Sequence, residues 1–156
     1  MLVGMVGASL PGPLMSLGGM RHWLFKEEPS SYDWRRLVAD GRTWWDGVEN
    51  ALARKHLRSV AKGDMVFLYH TGKEKAVVGT MTVVSGPALP PGATDEGETT
   101  VEVRPGKALR RPVTLAEIKA DAELAGWDLI RLPRLSVVPV TETQWLRVIS
   151  LAEADG

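Results

Sequence analysis

The sequence predicts an α+β fold: a small, curved, mostly antiparallel sheet or partial barrel with helices against its edges and ends. Three observations predict it. The buried-strand pattern of "KGDMVFLYHTG" and the valine- and threonine-rich "KAVVGTMTVVSG" meet through Gly72 and Lys73, at a hairpin position, so they pair antiparallel. Amphipathic segments flank this centre in the order β, α, α, β, β, β, α, β, α, without the regular strand and helix alternation of a doubly wound sheet. No internal repeat or heptad pattern is present, and at 156 residues the chain has the length of one compact domain.

The elements follow in order. "RHWLFK", Arg21 to Lys26, alternates roughly polar and apolar and is stopped by "EEPSSYD", a strand running into a turn. Asp33 is placed to cap a short helix that turns Trp34, Leu37 and Val38 to one face and ends at Gly41. "RTWWDGV" reads as a short extended piece with Asp46-Gly47 as a turn signal, followed by a helix from about Asn50 to Val60. The two central strands come next, then the Pro/Gly/acidic loop "PALPPGATDEGE". "TTVEVRPGKALRRPV" resumes strand chemistry, with Pro105-Gly106 turning or bulging it. Thr114 is an N-cap with Glu117 at the capping-box position, so "LAEIKADAEL" is helical with Leu115 and Ile118 inward. "RLSVVPV" is a strand whose proline suits an edge. Thr141 then caps a last helix that packs through Trp145, Val148, Ile149 and Leu151.

Composition narrows the function. Hydrophobic residues at 44% and charged residues at 24% are average globular usage. The formal charge is zero, so the chain does not coat a polyanion through bulk electrostatics, and any nucleic-acid site is a local patch. The absence of cysteine excludes a disulfide framework, a thiolate zinc site and a cysteine nucleophile, and suits a cytoplasmic setting. Residues 1–19, "MLVGMVGASLPGPLMSLGG", are apolar but lack the positive start of a secretory signal, and Pro11, Gly12 and Pro13 break the run. They are expected to be a loose N-terminal extension or the result of an upstream start, with the folded domain spanning 20–156.

Catalytic signatures are scarce. No phosphate-binding glycine loop, nucleophile elbow or metal-ligand spacing is present, and His22, His56 and His70 are far apart in sequence, so no metal is expected. His70 ends a strand, where it either orients a ligand or moves a proton, or else bonds to backbone. Glu27 sits at a strand end and is open to a ligand role, while Glu28 suits a solvated or capping position. "RKHLR", Arg54 to Arg58, supplemented by Arg35, Arg36 and Arg42, and "RPGKALRR", Arg104 to Arg111, are basic clusters, each a solvated surface or a source of phosphate contacts. Of the six tryptophans, Trp23, Trp34, Trp127 and Trp145 fit a core. Trp44 and Trp45 are adjacent in an extended segment, so their rings go to opposite sides and one is free to line a base pocket.

Taken in order, "HWLFKEEP", "RLVADGRT", "WWDGVEN" followed by "ARKHLR", "KGDMVFLYHTGKEKAVVGTMTVV", "RPVTLAEIKAD" and "RLSVVPVTETQW" resemble the EVE domain, a family similar to the YTH domain within the PUA-like group. The likeness covers about residues 20 to 150. It implies a PUA-like curved barrel with flanking helices, and a pocket for a modified nucleobase such as 5-methylcytosine or a further oxidised form, without a cofactor. Trp45 matches the family's pocket tryptophan in Trp-Asp-Gly-Val, which leaves Trp44 to packing. Asp46 and Asn50 match the polar residues after it, Tyr69-His70 the Tyr-His strand end, and Arg134 and Ser136 the Arg-Leu-Ser element. The chain departs from the family where Lys26-Glu27-Glu28-Pro29 replaces Lys-Ser-Glu-Pro, and where Glu49, Ala51 and Leu52 replace an arginine, a tyrosine and a glutamine.

The function this implies is a non-enzymatic reader of a modified base in DNA or RNA, accepting a base flipped from its stack. Trp45 would stack, with Tyr69 as a second wall; Glu27, Asp46 and Asn50 would read base edges; Arg54, Arg58, Arg110 and Arg111 would hold phosphates. Two alternatives come from other classes: a small-molecule enzyme using His70 with Glu27 or Asp46, and an interaction module whose pocket no longer takes a base.

Overall fold

The computed structural model describes residues 20–89, 92 and 98–154. The extension over 1–19 and the tip of the Pro/Gly/acidic loop therefore lie outside the described residues. Six strands, β1 (His22–Glu27), β2 (Thr43–Trp45), β3 (Met65–His70), β4 (Ala76–Ala88), β5 (Thr100–Thr114) and β6 (Val137–Val140), form one curled sheet in the order β2-β5-β4-β3-β1-β6. Around it lie α1 (Trp34–Asp40), α2 (Ala51–Ser59), α3 (Leu115–Ala120), α4 (Asp128–Arg131) and α5 (Glu142–Glu153). The predicted α+β class is the observed one, and β2 and β6 are its edges.

Every ladder is antiparallel except β1 with β3, which run parallel. A parallel pair needs a long crossover, and α1, β2 and α2 supply it. Asp64 fixes the register where β1 and β3 begin. Its buried carboxylate accepts from the Arg21 N–H at 3.0 Å, the Trp23 indole N–H at 2.9 Å and the Ala61 N–H at 2.9 Å. Each is a charge-assisted bond, and together they satisfy an ion that burial would otherwise penalise.

The caps form where the sequence places them. The Asp33 carboxylate accepts from the Arg36 N–H at 2.9 Å, Thr114 and Glu117 close a capping box, and Thr141 with Gln144 closes another. Trp145 of α5 stacks on Phe67 of β3 with ring centroids 3.8 Å apart, which docks the last helix on the sheet. Three details differ from expectation. Val38 is exposed, because α1 is short and only Leu37 of its apolar residues is fully inside. The helix after Thr114 stops at Ala120, since Asp121 leaves helical geometry and caps a 3-10 turn, Ala122–Leu124, through the Glu123 N–H. The short α4 has no counterpart in the pattern.

Pro105 and Gly106 do not end β5; they bulge it, between the pairs Gly79 with Ala108 and Met81 with Pro105. Glycine is required there, because a Cβ on Gly106 would meet the Thr80 hydroxyl at 2.5 Å.

Candidate nucleic-acid interface

β2 and the turn after it build the centre of the site. The pairing of Trp44 with Glu102 and Trp45 with Val101 sets the two indoles on opposite faces of an edge strand. Trp45 turns inward, 6% exposed, and its carbonyl accepts from the Thr100 hydroxyl at 2.7 Å. Its ring lies 5.6 Å from Phe25 and meets the edge of Tyr32 at 6.3 Å. Trp44, expected to pack, is instead 45% exposed.

After Trp45 the chain turns at Gly47, with φ of 73°, and the Val48 carbonyl accepts from the Arg54 guanidinium at 2.7 Å. The Asn50 side chain accepts from the Ala53 N–H at 2.9 Å and so caps α2. Asn50 and Arg54 thus hold the loop that carries Asp46, whatever else their remaining donors do. Asp46 is exposed.

The C-terminal ends of β1 and β3 form the second part. Their register pairs Lys26 with Tyr69 and Glu27 with His70. Strand alternation then puts Lys26 and Tyr69 on one face and Phe25, Glu27 and His70 on the other. Trp45 contacts Phe25, so the site divides between faces. Tyr69 is not the second wall against Trp45; among the described residues, the rings that meet it are Phe25 and Tyr32. Tyr69 sits under the Lys26 ammonium, 5.6 Å from its ring centroid, and burial pushes its phenol up to about 12, so it stays neutral. Lys26, lowered by burial, donates to the Pro133 carbonyl at 2.9 Å, and its backbone N–H donates to the Ser136 carbonyl at 3.0 Å. Ser136 and the exposed Arg134 therefore lie beside the Lys26 end of β1.

Glu27 is half-buried. One carboxylate oxygen accepts from the Glu28 N–H at 3.0 Å. Burial pushes its carboxyl above the ordinary glutamate range; the Glu28 N–H partly offsets this, and the Glu28 and Asp46 charges add to it. Glu28 itself is exposed and accepts from the Ser30 and Thr71 hydroxyls, each at 3.3 Å.

His70 has a structural task. Its Nε2 accepts from the Trp34 N–H at 3.2 Å, so the proton sits on Nδ1, 2.8 Å from a Glu74 oxygen. Both ring nitrogens are engaged, which leaves none for acid and base work with Glu27 or Asp46. Among the described residues, no group of three or more His, Asp or Glu side chains is placed to hold a metal.

The arginines are dispersed. Arg58 is exposed on α2. Arg110 donates to the Glu153 carbonyl at 2.7 Å and Arg111 to the Ala154 carbonyl at 3.2 Å, where cations suit the C-terminus of α5. Arg111 also pairs with Glu117 at 2.9 Å. Sequence reasoning missed Tyr32, whose hydroxyl donates to Asp40 at 2.8 Å; Arg36, read from the sequence as a supplement to the basic face, has its guanidinium 5.6 Å from the Tyr32 ring centroid. The only sequence signal for Tyr32 is that the turn after β1 must bring the chain back over the strand end.

Three comparisons agree on what this arrangement belongs to. Residues 21–151 match the EVE domain family. Human thymocyte nuclear protein 1 is 29% identical over 168 aligned residues, covering 86% of this chain and 75% of its own length. A protein of Rhodopseudomonas palustris solved by NMR superimposes with a TM-score of 0.81 at 35% identity, covering 85% of this chain and 93% of that one. The human THYN1 protein, solved in complex with DNA containing 5-methylcytosine, superimposes with a TM-score of 0.80 at 28% identity, covering 87% of this chain and 99% of that one. With its curled PUA-like sheet and its Trp-Asp-Gly-Val turn, this chain belongs to the EVE domain family.

Proposed function

We propose that this protein is a non-enzymatic nucleic-acid-binding domain that recognises a modified nucleobase, a modified cytosine first, taken out of its stack. The observation that carries the reading is the likeness, over nearly the whole domain, to a human protein solved with 5-methylcytosine DNA. The local chemistry supports it. The Trp45 indole, only 6% exposed, packs against Phe25 and Tyr32 at the end of β2, while Glu27, on the face of Phe25, and the exposed Asp46 supply hydrogen-bond acceptors. Arg36 on α1, Arg134 before β6 and Arg54 and Arg58 on α2 supply cations for flanking phosphates. The engagement of both His70 nitrogens disfavours the enzyme reading.

The test is a titration of otherwise identical DNA and RNA oligonucleotides with and without one 5-methylcytosine. Tighter binding to the modified strand is expected, weakened about tenfold in Trp45→Phe, which keeps a ring in the core but loses indole area for stacking. Equal, weak binding to every strand, unaffected by Trp45→Phe, would leave an interaction module that no longer takes a base.

A further inference from the structure

We infer that Glu27 makes the site selective for a base that presents an exocyclic amino group over one that presents a carbonyl at the same position. This rests on the reading above and deepens it. Alternation along β1 sets Glu27 on the face of Phe25, the ring against which Trp45 packs at 5.6 Å. Asp46, the residue after Trp45, lies near enough for its charge to be felt at Glu27.

One Glu27 oxygen is fixed by the Glu28 N–H at 3.0 Å, which orients the carboxylate. The other oxygen has no hydrogen bond to a described residue, and the nearest cation along β1, Lys26, points to the opposite face. An oriented, half-buried acceptor without a donor is where a ligand N–H belongs. An ionised carboxylate only accepts, so it bonds the amino group of cytosine or adenine and repels the C4 carbonyl of thymine or uracil. The Asp46 charge, felt at Glu27, adds to the negative potential there and strengthens the rejection of a carbonyl oxygen.

5-Methylcytosine and thymine share the ring methyl and differ at C4 and in the N3 proton, so they isolate this effect. Duplexes would carry either base opposite guanine, at one position in one sequence. The mismatched thymine opens more easily, so pairing alone favours thymine and works against the expected result. Wild-type protein is expected to prefer 5-methylcytosine about tenfold, the worth of one base-edge contact. Glu27→Gln keeps the acceptor for the Glu28 N–H and offers an amide that both donates and accepts, so the preference should shrink to about twofold while thymine binding improves. Glu27→Ser should also flatten it. Melting curves of each variant confirm that the fold is kept. Wild-type preference that survives intact in Glu27→Gln overturns the role of Glu27 and leaves the base-reading function standing. No preference for 5-methylcytosine over thymine in the wild type overturns the selectivity itself, and equal binding of modified and unmodified cytosine in the titration above overturns the modified-base reading on which it rests.

Discussion

Glu27 also carries a stability signature that does not depend on any ligand. Burial disfavours its charged form, so its carboxyl lies above the ordinary value of 4.5, with Glu28 and Asp46 pushing the same way and the Glu28 N–H pulling back. His70, its register partner on β3, faces the same side and is engaged with Trp34 and Glu74. A raised carboxyl costs nothing below 4.5, where both folded and unfolded chains are protonated; the cost grows as pH rises through the folded value and is constant above it. Glu27→Gln should therefore raise the melting temperature at about pH 7 and leave it nearly unchanged at about pH 4, with thermal melts across that range as the measurement. A uniform effect at both ends would mean that the charge is not what burial penalises. At this scale less is legible in the sequence than it first suggests. Alternation does send Trp44 and Trp45 to opposite sides, but which side is the core depends on pairing with β5. That Tyr69 and Glu27 face apart follows from the register of β1 on β3, which no local pattern encodes. Tyr32 is held by a turn, and no periodicity places the side chain of a turn.

At the scale of elements, α1 is positioned by contacts from strands far away in sequence. Its N-cap is local and legible, Asp33 to the Arg36 N–H, as are the caps at Thr114 and Thr141. Its seat is not. The Trp34 N–H is held by His70 of β3, and the Trp34 ring lies on Gly79 of β4, where an added Cβ would come within 2.5 Å of a ring carbon. An indole packed between helix and sheet cannot yield as a flexible side chain would, so Gly79→Ala should push Trp34 off the sheet. The expected cost is about 1–3 kcal/mol by urea unfolding. Amide exchange should accelerate across Trp34–Asp40 more than across Met65–His70, and because Tyr32 precedes this helix the change should carry into the Trp45 cluster. Unaltered protection in α1 would show that the ring swings aside freely. The short reach of α3 has a similar cause: Asp121 suits both a helix end and a cap, and its pairing with Arg147 at 2.7 Å, across to α5, favours the cap.

For the whole molecule, class and element order were legible because hydrophobic periods of two and of three to four residues are local properties. The parallel pairing of β1 with β3 was not, since it is fixed by the Asp64 contacts and by a crossover long enough to allow it. Charge follows the same division. The sequence shows a neutral chain with basic runs, and the structure distributes those runs. Arg110 and Arg111 reach the last carbonyls of α5, on the order of 30 Å along β5 from Val101, which pairs with Trp45, at about 3.3 Å per residue. Arg42 lies 3.7 Å from Glu102, while Arg36, Arg134 and Arg58 are exposed. A site with so few cations releases few counterions, each phosphate contact contributing about 0.9 to the slope of log affinity against log salt. The slope should therefore be shallow, no steeper than about −4, with affinity carried by the base. Arg111→Ala should lower the melting temperature through the end of α5 and leave that slope unchanged, whereas Arg36→Ala should flatten it by about 1. A steep slope that Arg111→Ala reduces would instead place the nucleic-acid backbone along β5, and the base beside Trp45 would no longer be the centre of the interface.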